Sequence, residues 1–402
     1  MAAGGGRATK IAASVFGAAY PIVAFWLFAA FVTLIDREQA PERLAMIVAG
    51  VVGLYLLRIR VPTTKVLLVA LAVAAGSLGL LRAWQAYEAV DQRREPHIDI
   101  ATTTIASVEL QREGRNPYTE VVDHIGLQVD PTGTGFHYFG GFKYGPAMTW
   151  IYTPGVLARG PSGFYITNFA LLMIAAGAAA WWVSTRGTSA TLGAAALVLV
   201  PGFLQDELFA AGSNDIAAIA TALVAFAFRS HGLGVAAGIA LGVSFGMKPM
   251  PALVLTVPLL LSGATRMRVA LAAGLTALAC YLPALIRSPK ELIAGLITFN
   301  ARRPPDETSL LDGAPDLVVM AAVALSLAAA VGLAWWWDRR RARWEPGSTA
   351  LVASAAVAVA FLGSRQVHRN YMVWLLPLMA VALAGRVWAE PTNSAAEPAL
   401  GD

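Results

Sequence analysis

Charge is scarce in this chain. Asp, Glu, Lys and Arg make up 14% of its 402 residues, against about 25% in an ordinary soluble domain, which excludes a typical cytosolic enzyme. Cysteine is almost lacking. The single Cys280 stands inside an apolar block, so an intramolecular disulfide and a cysteine metal cluster are both excluded, and packing is its expected role. A surplus of one sign is lacking too: 30 Lys and Arg against 25 Asp and Glu leave a formal charge of +5. The basic residues fall between apolar blocks rather than in a solvated patch, which argues against nucleic acid as a partner. No internal repeat and no low-complexity linker divides the chain.

What is abundant is apolar sequence, 57% of the residues, with a mean hydropathy of +0.60 spread over the whole length. Such a distribution calls for many membrane-crossing helices of roughly 20 residues each. The first apolar block, Ile11 to Ile35, follows Arg7 and Lys10 but is longer than the apolar core of a signal peptide, so it reads as a retained span. Further blocks run at 44–57, 66–82, 163–183, 189–204, 214–228, 232–247, 249–262, 268–286, 315–337, 348–363 and 370–386, interrupted at Pro201 and Pro249. The fold class predicted is an all-α polytopic membrane protein with about twelve transmembrane helices. It forms a single integral-membrane domain over 1–390, and a disordered cytoplasmic tail follows at 391–402.

Threading the blocks with the amino terminus inside puts Arg58, Arg60, Lys65, Arg186, Arg229, Arg266, Arg268, Arg339 to Arg343 and Arg386 in cytoplasmic connections, with both termini cytoplasmic. The opposite face receives a first large outer loop within 83–162 and a second at 287–314. The stretch 83–145 is where polar, acidic and aromatic residues concentrate. It carries Asp99, a helical rhythm from Thr102 to Glu113, Gly114-Arg-Asn-Pro-Tyr118 and Phe142-Lys-Tyr-Gly-Pro146. The apolar run 146–158 is too short to span and is expected to lie in the interface. Asp99, beyond a span and on a loop held by a Pro-Tyr turn, is placed to act on a lipid headgroup; the same position suits a plain solvated carboxylate. Lys143, Lys248, Arg365, His368 and Arg369 map to the outer ends of apolar blocks, where a cation either binds a lipid phosphate or snorkels into headgroups. Asn214 and Asp215 open a span, which fits helix capping and sugar binding alike. Arg302 and Arg303 flank Pro304-Pro305 on the second loop, as donor or acceptor contacts or as a solvated pair.

The order of these elements resembles the GT-C superfamily of integral-membrane glycosyltransferases. Asp99 is followed fifteen positions later by Gly-x-x-Pro-Tyr, then by Phe142-Lys-Tyr-Gly-Pro146, Gly212-Ser-Asn-Asp215, Gly246-Met-Lys-Pro249 and His368-Arg-Asn-Tyr371 ahead of Trp374. Within the superfamily it is most similar to bacterial polyprenyl-phosphate-mannose-dependent mannosyltransferases and related arabinofuranosyltransferases. It departs from them in having three apolar blocks ahead of the first loop, where family members usually have one. The resemblance implies inverting transfer of a sugar, mannose above all, from a polyprenyl-phosphate donor to a hydroxyl of a glycolipid, glycan or protein. The reaction would occur at the outer face of a bacterial inner membrane.

It further implies Asp99 as the catalytic acidic residue, and a donor that enters sideways from the bilayer. With the donor placed there, Lys143, Lys248, His368, Arg365 and Arg369 become its phosphate contacts. Tyr118, Tyr144, Asn214, Asp215, Arg302, Arg303 and Tyr371 become candidates for sugar or acceptor contacts, and Trp150 and Tyr152 are expected near sugar or lipid. Some relatives hold a divalent metal with an outer acidic pair. Asp99 and Asp215 lack further clustered oxygen ligands, so neither metal nor other cofactor is expected. The protein is expected to be a monomer. A transporter or flippase, the alternative from another class, calls for ionisable residues near span centres and for related halves.

Overall fold

Apolar blocks of this length have only one way to satisfy their backbone in a medium without water, which is to hydrogen-bond within each segment as a helix. The computed structural model describes residues 64–91, 99–120, 122, 141–260, 266–302, 309–339, 345–364 and 369–389, and among them there are helices and no strands. The expected spans at 11–35 and 44–57 and the tail 391–402 lie outside the described residues. In chain order the helices are α1 (Thr64–Asp91), α2 (Asp99–Arg112), α3 (Pro146–Arg159), α4 (Gly163–Trp182), α5 (Thr188–Leu199), α6 (Gly202–Phe209), α7 (Asp215–Ser230) and α8 (Gly234–Met247). They continue with α9 (Pro249–Leu260), α10 (Arg266–Arg287), α11 (Pro289–Ile293), α12 (Phe299–Arg302), α13 (Asp316–Arg339), α14 (Pro346–Leu362) and α15 (Met372–Val387).

Each apolar block from 66 to 386 therefore coincides with a helix or a broken pair of helices. Full-length crossings are fewer. Among the described residues three helical stretches are long and apolar enough to cross a bilayer, Pro146–Trp182, Arg266–Arg287 and Asp316–Leu333. The pair α5 and α6, bent by 48° at Pro201, makes a fourth if it is a single broken span. Helices such as α8, α14 and α15 are shorter apolar segments. The short helix expected at 146–158 is present. It is α3, and the 3-10 turn at Gly160–Ser162 folds it back against α4, with Tyr152 stacked on Phe164 at 4.6 Å and Gly155 against Gly163. Its Met148, Thr149 and Tyr152 are buried. Among the described residues of 287–314, helix runs from Pro289 to Arg302, with a π-helical turn at Ala294–Thr298 between α11 and α12.

Helix α7 is the axis of the bundle. Ile216, Ile219, Leu223 and Phe226 are fully buried, and the helix packs against α4, α8 and α15. At the periphery the pattern reverses: Leu271, Leu275 and Ile286 on α10 are 60%, 67% and 73% exposed, as are comparable apolar residues on α13. In water so much uncovered apolar surface would be costly, at about 25 cal/mol per Å²; against lipid chains it costs nothing.

Between α8 and α10 the contact depends on small residues. A Cβ at Gly238 would meet the Val269 carbonyl oxygen at 2.5 Å, and one at Gly242 would meet that of Ala273 at 2.6 Å. The two backbones touch, as small residues repeated every four positions allow.

The bundle has two chemically different ends. At one, Arg186 pairs with Glu345 at 2.7 Å, Ser348 donates to Glu345 at 2.6 Å, and Trp181 stacks on His231 at 4.9 Å. At the other, the starts of α2, α7 and α15 meet the end of α8.

Candidate active site

The motif elements that are far apart in sequence meet at that second end. Phe142 N–H donates to the Pro117 carbonyl at 2.9 Å, and the Tyr118 hydroxyl donates to the Tyr144 carbonyl at 2.8 Å, so the Pro-Tyr turn docks on the Phe-Lys-Tyr-Gly-Pro element. Phe142 packs edge-on to Tyr118 at 5.7 Å and to Tyr144 at 5.4 Å. Burial pushes the Tyr118 phenol well above the ordinary tyrosine pKa, with a smaller push from Tyr281, which keeps it a neutral donor. Beside it, Arg115 binds Glu120 and Glu113 at 2.7 and 3.1 Å, and these two acids raise its pKa. Asn116 donates to Ser288 at 2.9 Å, tying the Pro-Tyr turn to the segment that follows α10.

The next junction is backbone on backbone. Gly145 N–H donates to the Met247 carbonyl at 2.8 Å, and a Cβ on Gly145 would lie 2.0 Å from the Gly246 oxygen. Only glycine permits this approach. Lys248 then ends α8 in an extended conformation (φ −136°, ψ 99°), because a following proline disfavours the helical region for the residue before it. Pro249, lacking an N–H, starts α9. The break turns the Lys248 side chain toward α7.

There it meets Asp215, 1% exposed. Asp215 Oδ1 accepts from Lys248 Nζ at 2.7 Å and from Trp374 Nε1 at 2.7 Å. Its Oδ2 accepts from Asn370 Nδ2 at 2.7 Å and from the Ser213 hydroxyl at 2.9 Å. The Lys248 ammonium also lies over the Tyr144 ring, 4.7 Å from its centroid. Asn214, expected either to cap α7 or to bind sugar, makes no side-chain cap; it donates to Thr104 of α2 at 3.0 Å. The capping falls to Ser213, whose hydroxyl accepts from the Asp215 N–H at 3.2 Å. The turn before it is held by Asn168, which donates to the Leu208 and Ser213 carbonyls at 2.9 and 3.0 Å and accepts from the Tyr152 hydroxyl at 2.5 Å.

The expected site residues distribute unevenly over this frame. Tyr118, Tyr144, Asn214, Asp215 and Lys248 are brought together. Lys143 turns to a different neighbour, with its ammonium 4.4 Å from the centre of the Phe299 ring at the start of α12. Tyr371 stacks on Phe361 at 4.3 Å. Tyr152 is not a sugar or lipid contact: it is fully buried and stacked on Phe164 at 4.6 Å, because its hydroxyl finds its partner in Asn168 inside the bundle. Asp99 is the first residue of α2, Arg369 opens the 3-10 turn Arg369–Tyr371, and Arg302 ends α12. Arg303, Arg365 and His368 lie outside the described residues.

Sequence reasoning did not assign roles to Ser213, Thr104, Asn168, Asn370 or Trp374. The signal available for Asn168 was an amide within an otherwise apolar run, which must find partners when buried. Among the described residues no group of three or more His, Cys, Asp or Glu is arranged to hold a metal ion. The four donors on Asp215 leave its carboxylate no free position for one.

No protein-family model matches the chain, and no curated protein sequence matches it. Two solved structures are similar in fold. One is ArnT from Cupriavidus metallidurans bound to undecaprenyl phosphate, with a TM-score of 0.51 and 18% identity over 81% of this chain and 60% of that one. The other is the same protein in the apo state, with a TM-score of 0.50 and 19% identity over 80% of this chain and 59% of that one. This chain thus spans about three fifths of the length of the ArnT structures. At this identity the likeness is one of architecture: the chain has an all-helical fold similar to that of ArnT.

Proposed function

We propose that the chain is an inverting glycosyltransferase that moves a sugar, mannose in the first instance, from a polyprenyl-phosphate donor to a hydroxyl acceptor at the outer face of the membrane. The observation that carries the reading is the fold shared with ArnT, a protein that binds undecaprenyl phosphate. The convergence of Tyr118, Tyr144, Asp215 and Lys248 at one end of the bundle supports it.

In this reading the acceptor oxygen bonds to the anomeric carbon from the face opposite the phosphate. The bond from that carbon to the phosphate oxygen breaks, and the acceptor proton passes to a carboxylate, assigned to Asp99. The phosphate leaves with the bonding pair, and Lys248 is the cation nearest to hand for its growing charge. A transporter is less well supported: it calls for two related halves, and no internal repeat divides the sequence.

The test is turnover in proteoliposomes with labelled polyprenyl-phosphate mannose and, in parallel, polyprenyl-phosphate arabinofuranose. Transfer of mannose is expected, and it should survive EDTA. Asp99→Asn should lower it by roughly 10² or more while the protein still folds. Transfer of arabinofuranose alone would change the sugar assignment. Movement of an intact lipid or solute without transfer would favour the transporter, and full turnover by Asp99→Asn would move the base elsewhere.

A further inference from the structure

Asp215 looks by position like a sugar or metal ligand, yet its surroundings leave it no capacity for either. Each carboxylate oxygen already accepts two hydrogen bonds, from Lys248 and Trp374 on one and from Asn370 and Ser213 on the other. A carboxylate offers about four acceptor positions, so this one is saturated. It is also almost wholly removed from solvent, whereas the Lys248 side chain keeps 13% exposure. An ammonium has three N–H donors. One goes to Asp215, and the Tyr144 ring lies beneath the charge at 4.7 Å.

Three stretches of chain, at 213, 248 and 370–374, thus converge on one carboxylate, and that carboxylate holds one end of a lysine that keeps partial exposure. The adjacent Asn214 binds Thr104 on α2, the helix that Asp99 begins. The same two-residue step at the start of α7 therefore references both the cation and the acid-bearing helix to one point of the fold.

We infer that Asp215 is a positioning residue: held by Trp374, Asn370 and Ser213, it fixes the Lys248 ammonium so that its other N–H donors contact an anion, the phosphate of the lipid-linked donor. The inference rests on the polyprenyl-phosphate reading above. It adds that the phosphate preference of the site depends on Asp215 only through Lys248. An aspartate with a merely structural part would, on removal, weaken lipid binding with or without the phosphate, and would do so whether or not Lys248 were present.

The full chain in nanodiscs, titrated with undecaprenyl phosphate and separately with undecaprenol, separates these cases, since the ratio of the two affinities isolates the phosphate. The wild type is expected to prefer the phosphate. Lys248→Gln should lower that preference by roughly ten-fold, the size of one charge-assisted hydrogen bond, and Asp215→Asn by a similar factor. Adding Asp215→Asn to Lys248→Gln should lower it no further, the non-additivity expected of residues acting through one another.

Because Asp215→Asn leaves a buried cation unpaired and can cost the fold, Trp374→Phe serves as a second variant. It keeps the ring packing and removes one donor to Asp215 Oδ1. The preference should fall by about three-fold when Lys248 is present and stay unchanged in Lys248→Gln. Independent, multiplying effects of either variant with Lys248→Gln, or an unaltered preference in both, would overturn the positioning role while leaving the donor assignment standing. A wild type that binds the alcohol as well as the phosphate would instead overturn the donor assignment and this inference with it.

Discussion

At the scale of single residues, the buried polar groups carry the specificity of the fold. Asn168 is fully buried and makes three hydrogen bonds, to Tyr152 and to the two carbonyls that bracket the turn before Asp215. Replacing it by Ala strands two carbonyls and a phenol away from water, at about 1–3 kcal/mol for each unsatisfied group less what local relaxation recovers. Asn168→Ala is therefore expected to lower thermal stability in detergent by about 2–4 kcal/mol. Tyr152→Phe, which removes one bond and leaves the Asn168 oxygen to relax, should cost about 1 kcal/mol. Equal and small effects of the two would show that the turn is held by something else. These residues were hard to read in sequence because an Asn or Tyr inside an apolar run gives no sign of which distant group it will meet. The Asp215 partners posed the same difficulty, as Asn370 and Trp374 are more than 150 positions away.

At the scale of elements, small side chains decide how near two helices come. Gly238 and Gly242 place α8 directly on the backbone of α10, and a Cβ at Gly242 would also meet the Thr276 Cβ at 2.6 Å. Neither atom is the far end of a flexible side chain, so a larger residue must push the helices apart. Gly242→Val should therefore destabilise the fold by more than the roughly 1–3 kcal/mol typical of adding bulk to a packed core, read as a strongly lowered melting temperature. It should also weaken activity, since α8 delivers Lys248. A variant with wild-type stability would mean that α8 and α10 are not in contact. The apolar periodicity of both helices is plain in the sequence, and so was the break at Lys248 and Pro249, because proline acts locally. That Gly145 and Gly246 would face each other was not, since a close approach needs both partners and they are 101 positions apart.

At the scale of the molecule, the two ends of the bundle are expected to face opposite sides of the membrane. Arg115 lies with the Asp215 end and is exposed, whereas Arg186 belongs to the Glu345 end. With the buried Cys280 replaced by Ala, Arg115→Cys should react with a membrane-impermeant maleimide added to intact cells. Arg186→Cys should react only after permeabilisation. The reverse pattern would invert the proposed orientation, and labelling of both from outside would show that the two ends are not separated by a bilayer.

Composition and pattern alone were enough for the membrane-type helical class and for the position of each apolar block from 66 to 386. The reason is that scarcity of charge, length of apolar run and proline breaks are local quantities that no tertiary contact can reverse. Tertiary structure alone decided that 146–158 folds back against α4, so that Tyr152 meets Phe164 and Asn168, and which cation belongs to which partner. Lys143 and Lys248 look equivalent in sequence, each a basic residue at the end of an apolar block. Folding sends one to an aromatic ring on α12 and the other to a buried carboxylate on α7. The difference arises because a charge taken out of water must find its counter-charge wherever the chain happens to bring one, and that meeting is a property of the packed bundle.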